Sequence, residues 1–156
     1  MGLSEPKTDL TGAEAAIAKK MSKSNPDSAI FMTDSEEEIK RKFKKAFCPE
    51  GQAEDNPVLE YCKYIIFEKY DSVEIKRPEK FGGNVTYNSY SDIEKDFIEK
   101  KLHPLDLKNM AAEKVNQLID PVRKHFEENS EAKALLEKIN SYWGAFAKFS
   151  VLIIRF

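Results

Sequence analysis

The chain has 156 residues, 41% of them hydrophobic and 33% charged, which is enough apolar material for a real core and excludes wholesale disorder. That length suits one domain, or one with a small appendage. Twenty-five basic and 27 acidic residues leave a formal net charge of -2, which excludes a polycation that coats nucleic acid indiscriminately but not a local basic face.

In chain order, residues 1–34 read as loop-rich, punctuated by Pro6, Gly12, Asn25, Pro26 and Asp27, with one helix-compatible stretch from Ala13 to Lys20. A helix is predicted to start at Ser35, where Ser35 and Glu38 have capping-box spacing. Ile39, Phe43, Ala46 and Phe47 share one face of it, and Lys40, Arg41, Lys42, Lys44 and Lys45 read as a solvated remainder. Cys48-Pro49-Glu50-Gly51 stops this helix, and Asn56-Pro57 opens the next with a cap followed by proline. Its buried stripe is Val58, Leu59, Cys62, Ile65 and Ile66.

The period then changes. Val73 and Ile75 alternate with charged residues, and Gly82-Gly83 precede Val85, Thr86 and Tyr87, which predicts a short hairpin with Pro78 at an edge or end. Ser91 and Glu94 repeat the capping-box spacing before a helix carrying Ile93, Phe97 and Ile98, broken at Leu102-His103-Pro104. A long helical pattern follows through Leu107, Met110, Ala111, Val115, Leu118 and Ile119, and Pro121 is predicted to kink or end it near Asp120. Val122 and Phe126 continue the apolar pattern, and Asn129 or Ser130 caps a last helix with Leu135, Leu136 and Ile139. The fold class is mainly α (α+β): a bundle of four or five helices with one short hairpin over residues 35–140, a loop-rich segment before it, and an apolar, β-prone tail at 141–156. That tail is an interaction or aggregation hazard if exposed, and reads as a partner-docking strand or a non-native terminus.

Cys48 and Cys62 cannot build a disulfide framework and lack the partners of a zinc site. The first ten residues hold no apolar signal region, and no apolar run approaches the ~20 residues that span a bilayer, so a cytoplasmic protein without a membrane partner is expected.

The sharpest local feature is Lys20-Met21-Ser22-Lys23-Ser24, directly preceded by Lys19. Ammonium groups on a serine-rich loop suit a polyphosphate, because they can stabilise the charge that grows on a leaving pyrophosphate more than the ground state. Taken alone, the same string is also an ordinary solvated basic loop. The series KMSKS, NPDSAIFMTDS, a basic helix, AFCPEG, NPVLEYCKYIIF, IKRPEKFGG and KLHPLDLKN decides between them. In this order it resembles the C-terminal half of an archaeal/eukaryotic-type tyrosyl-tRNA synthetase of class I, over roughly residues 18–125. Tryptophanyl enzymes share the fold and the lysine loop, but the KFGG and HPLDLKN segments look tyrosyl.

The resemblance implies roles position by position. Lys20, Met21, Ser22, Lys23 and Ser24 would form the mobile loop on the ATP phosphates, with Lys20 and Lys23 as catalytic electrostatic stabilisers. Phe81 matches an aromatic near the first anticodon base, His103 and Pro104 match residues that pack on that base, and Asp106 matches the carboxylate that reads its edge. The physics agrees: guanine presents N–H donors that an ionised carboxylate accepts, and unpaired bases stack on aromatic or imidazole faces. Lys76, Arg77, Lys80 and Lys108 lie near these positions as candidate phosphate contacts. Each residue also has a plain structural role open to it: Phe81 as a packed turn residue, Asp106 as a charge at a helix start, His103 as an unremarkable neighbour of proline.

A working enzyme of this class also needs a Rossmann half with a HIGH-type motif and a tyrosine pocket, and neither His103 nor His125 belongs to such a string. The expectation is therefore that this catalytic half is absent, that ATP with Mg2+ belongs to the parent enzyme and does not bind tightly to this chain alone, and that roughly the first 30 residues are poorly anchored. The leading reading is the lysine loop plus anticodon-binding domain of a tyrosine–tRNA ligase, partnered by tRNA(Tyr) and by a separately encoded N-terminal half, and not by DNA. The alternative is a non-catalytic RNA-binding or protein-interaction module derived from a synthetase, or a tryptophanyl homologue.

Overall fold

The structure, a computed structural model, describes residues 2–4 and 26–142. The predicted Ala13–Lys20 helix and the tail from residue 143 onward lie outside the described residues. Helix α1, Glu36–Lys45, begins where the Ser35 hydroxyl accepts the Glu38 amide at 3.2 Å, as the spacing predicts. Three glutamates in its first turn and Lys42, Lys44 and Lys45 in its last complement the helix dipole.

The expectation of a solvated basic side holds for Lys40, Arg41, Lys44 and Lys45, which are exposed, and fails at Lys42. Lys42 is only 2% exposed, with its ammonium 2.5 Å from Asp34 Oδ2, 3.0 Å from the Ala29 carbonyl and 4.3 Å from the centre of the Phe31 ring. Lys42 follows Ile39 by three positions, so its stem lies on the buried face and its charge needs an internal partner. Arg41 and Lys45 reach Asp27 at 2.7 and 3.3 Å, and Lys40 pairs with Glu36.

These contacts fasten the segment before α1. Ala29 and Ile30 are fully buried, and Asp34 Oδ2 also accepts the Phe31 amide at 2.8 Å. Leu3 sits in the core, its amide bonded to the Ser28 carbonyl at 2.9 Å and its carbonyl accepting the Phe47 amide at 2.8 Å. The expectation that the first 30 residues are poorly anchored is thus wrong for Leu3 and for residues 27–30, because ion pairs and a buried leucine hold them.

Helix α2 runs from Pro57–Tyr61 through a π-helical turn, Cys62–Ile66, to Phe67–Lys69. Asn56 Oδ1 accepts the amides of Val58 and Leu59 at 3.1 and 3.3 Å, and Pro57 needs no amide partner in the first turn. Val58, Leu59, Cys62, Ile65 and Ile66 are buried as predicted. Strands β1, Val73–Ile75, and β2, Val85–Tyr87, form the hairpin, antiparallel with Val73 opposite Tyr87 and Ile75 opposite Val85. Val73, Ile75 and Tyr87 face the core while Glu74 and Thr86 face out.

Helix α3, Tyr90–Ile98, starts earlier than expected. Its cap is Ser89, whose hydroxyl accepts the Asp92 amide at 3.2 Å, and not Ser91. Ile93 and Phe97 are buried, but Ile98 is 51% exposed. Helix α4, Pro104–Glu128, runs through Pro121 and does not end there, which removes one of the two predicted outcomes. The proline faces solvent, and Arg123 bridges it, donating from Nη2 to Asn116 Oδ1 at 2.8 Å and Asp120 Oδ1 at 3.0 Å and from Nη1 to the Asp34 carbonyl at 2.7 Å. Helix α5, Ser130–Tyr142, follows directly, capped by Asn129 Oδ1, which accepts the amides of Glu131 and Ala132 at 3.0 Å each. Leu135 and Ile139 point outward, which the apolar pattern did not anticipate. α1, α2 and β1 all pack on α4, around Phe43, Ile66, Ile75, Leu107 and Val115.

Two outcomes follow. Replacing Lys42 with Met strands a buried carboxylate and should cost about 3–5 kcal/mol in urea unfolding. The Arg41 guanidinium beside Asp27 holds its carboxyl at about 2, below the ordinary 3.8. A carboxyl lowered by folding stabilises the fold above its unfolded value and loses that contribution as pH falls from about 4 towards 2. The pair is 42% and 41% exposed. Asp27→Asn should therefore cost under about 1 kcal/mol at pH 6, and the difference from wild type should vanish by about pH 2 in the same assay.

Candidate functional site

The start of α4 is set up by the end of α3. Lys100 takes the left-handed conformation at φ 59°, which turns the chain so that the amides of Lys101 and Leu102 return to the Asp96 carbonyl at 2.8 and 3.1 Å. The Asp96 carboxylate accepts the Tyr87 hydroxyl at 3.0 Å and so ties α3 to the hairpin; burial and this bond push the Tyr87 phenol up to about 12. Leu102 is then fully buried, and its burial fixes where the next residue emerges.

That residue is His103, the cap of α4. Its Nδ1 accepts the Leu105 amide at 3.1 Å. The imidazole is exposed, Pro104 occupies the first helical position, and the Asp106 amide bonds the His103 carbonyl at 3.1 Å. Asp106 is half-buried in the first turn, where the helix dipole favours its negative charge. The capping role of His103 escaped the sequence reading, although His103-Pro104 repeats the cap-then-proline pattern of Asn56-Pro57.

The second element is the hairpin loop. Glu79–Phe81 forms one tight turn, closed by bonds from Phe81 and Gly83 to the Pro78 carbonyl at 2.9 and 3.2 Å and from Gly82 to the Glu79 carbonyl at 2.9 Å. Gly82 and Gly83 sit at φ 96° and 69°, values that favour glycine. Phe81 is 62% exposed, with the Lys80 ammonium 4.9 Å from the ring centre, so it is not a packed core residue.

Arg77 joins the two elements. Its Nε donates to the Gly83 carbonyl at 3.1 Å, its Nη1 to the Lys101 carbonyl at 3.1 Å, and its amide to Asn84 Oδ1 at 3.1 Å. The hairpin loop with Phe81 is thereby held beside the turn with His103, Pro104 and Asp106. Of the other candidate phosphate contacts, Lys76 pairs with Glu113 at 3.2 Å and Lys108 bonds the Lys44 carbonyl at 3.2 Å. Lys20, Met21, Ser22, Lys23 and Ser24 lie outside the described residues. Cys48 and Cys62 are buried, and burial pushes both thiols up. Among the described residues no group of His, Cys, Asp and Glu could hold a metal ion, and no helix is long and apolar enough to cross a membrane.

Residues 10–120 match the family model described as tRNA synthetases class I (W and Y), and the chain belongs to that family. Its sequence relatives are tyrosyl enzymes, as the KFGG and HPLDLKN segments imply. It is 47% identical over 121 residues to a tyrosine–tRNA ligase of Saccharolobus solfataricus, covering 78% of this chain and 33% of the relative. It is 48% identical over 145 residues to that of Thermococcus kodakarensis, covering 89% of this chain and 39% of the relative. The solved tyrosyl-tRNA synthetase from Pyrococcus horikoshii, complexed with L-tyrosine, matches with a TM-score of 0.76 at 45% identity over 88% of this chain and 38% of that one. The Leishmania major enzyme in complex with fisetin matches with a TM-score of 0.69 at 36% identity, over 81% and 23%. The chain thus spans between 33% and 39% of the length of these two curated relatives.

The cap gives His103 a structural role that substitution can measure. His103→Ala should lower stability by about 1 kcal/mol in urea unfolding, while His103→Asn, which keeps a capping oxygen, should stay within about 0.3 kcal/mol of wild type.

Proposed function

We propose that residues 35–140 form the anticodon-binding part of a tyrosine–tRNA ligase, with tRNA(Tyr) as partner. The observation that carries this reading is the joining, through Arg77, of an exposed aromatic on a glycine turn to an exposed imidazole and a carboxylate at a helix start. In this reading the first anticodon base leaves its stack, lies against the faces of His103 and Pro104 with Phe81 beside it, and presents its Watson–Crick edge to Asp106. A guanine there offers two N–H donors to the carboxylate, and a cytosine offers an acceptor where the carboxylate also has one.

Residues 1–34 supply the Lys20–Ser24 loop to the ATP site, where Lys20 and Lys23 stabilise the charge of the departing pyrophosphate. The reaction, ATP-dependent activation of tyrosine and its transfer to the tRNA 3′ end, belongs to the whole ligase. It needs a nucleotide-binding half, on the same polypeptide or supplied separately. Mg2+ would accompany ATP, but no described cluster fits it and no step here is routed through it. The cytoplasm is the expected compartment, because that is where tRNA is charged. A second reading, a non-catalytic interaction module on the same scaffold, draws support from the outward Leu135 and Ile139 of α5.

Filter binding to tRNA(Tyr) and to a transcript with the first anticodon base changed from guanine to cytosine tests the first reading. The expected result is a preference for guanine of about 1–3 kcal/mol, lost in Asp106→Ala. Equal binding of both transcripts, falling steeply with salt, would leave only charge contacts and sink it.

A further inference from the structure

We infer that Arg77 is a positioning residue for base recognition, one guanidinium that holds the Phe81 loop and the His103–Asp106 turn at a fixed separation. This rests on the anticodon reading above and adds to it a residue that touches no base. By sequence, Arg77 reads as a phosphate contact beside Lys76 and Lys80. Its geometry says otherwise, because two of its donor directions are spent on main-chain carbonyls of the protein.

Those carbonyls are well chosen for the purpose. Gly83 follows the tight turn that ends on Phe81, and Lys101 lies between α3 and α4, two residues before His103. A guanidinium is planar, with its N–H directions at fixed angles, so bonds of 3.1 Å to each carbonyl set the spacing between the two loops. Arg77 is itself held from the other side: Asn84 accepts its amide and donates to Glu74 Oε1 at 3.2 Å, which anchors the brace to β1. The bond to the Gly83 carbonyl is half-buried, so water competes less for it than at an open surface, while the bond to the Lys101 carbonyl is exposed.

The consequence for recognition is geometric. Asp106 discriminates guanine only if the base plane, set by the stacking groups, brings its edge within hydrogen-bond distance, and a misplacement of about 1 Å costs on the order of a hundredfold in comparable positioned interactions. A lysine at position 77 keeps the charge but cannot hold two acceptors in a fixed plane.

The test compares wild type with Arg77→Lys in filter binding to the guanine and cytosine transcripts across a salt series. The expected result is a guanine preference that falls to within about twofold, unchanged binding of the cytosine transcript, and an unchanged slope of affinity against salt. Hydrogen exchange at Gly82 and Gly83, read without RNA, should accelerate while the melting midpoint stays within a few degrees. If both transcripts weaken equally and the salt slope falls by about 0.7–0.9, Arg77 is a phosphate contact and the inference is overturned. Retention of the full guanine preference overturns it as well. A wild-type protein with no guanine preference is a distinct result, which removes the anticodon reading itself. Should Arg77→Lys fail to fold, Asn84→Ala, which removes the acceptor for the Arg77 amide, is the second variant, and undiminished selectivity there counts against the brace.

Discussion

The ion pair between Lys42 and Asp34 is the constraint on which the other packing choices rest. Taking an ammonium and a carboxylate out of water costs several kcal/mol per ion, and the cost is offset only when the remaining donors and lone pairs find partners. Here they do: Lys42 also bonds the Ala29 carbonyl and faces the Phe31 ring, and Asp34 also takes the Phe31 amide. Burial pushes the Asp34 carboxyl up, and the Lys42 ammonium and the Phe31 amide oppose that push. This placement of residues 29–34 on α1 gives the buried ammonium and the buried carboxylate their partners together.

From that knot the order propagates along α4. Arg123 donates to the Asp34 carbonyl, which fixes the later part of a 25-residue helix against the same segment. At its other end the helix carries His103, Pro104 and Asp106, and there the brace of Arg77 takes over. Residues 27–34 and the turn proposed to read a base are therefore attached to one helix, some 37 Å long.

Local chemistry was the legible part of the sequence. Ser35 and Asn56 are caps because their oxygens serve amides two or three residues away, and such bonds are visible in spacing alone. The hairpin was legible for the same reason, from alternation and from two glycines in a turn. What failed depended on partners far along the chain. Lys42 looked solvated because helical periodicity sorts by hydrophobicity and cannot see Asp34 behind it. Pro121 could have ended the helix, and the Arg123 bridge beside it is a matter of tertiary contact that the sequence does not display. Ser89 and Ser91 each precede an acid by three residues, and the sequence offers no means of choosing; the bond from the Tyr90 hydroxyl to Glu94 at 2.6 Å accompanies the choice of Ser89. The candidate site residues were named only through family resemblance, and nothing in the spacing of Phe81, His103 and Asp106 reveals that Arg77 bonds Gly83 and Lys101 in the segments beside them.

The corner between α4 and α5 is a single residue, Asn129, whose amide closes the first helix on the His125 carbonyl while its side chain opens the second. A corner so short offers a protease no strand to cleave and an insertion no loop to occupy. It also makes α5 a lever. The helix has 13 residues, a length of about 20 Å, so a change of only ~20° in the backbone at Asn129 swings its far end by roughly 7 Å. Whatever α5 presents to its surroundings, its aim is set by the two torsion angles of one asparagine.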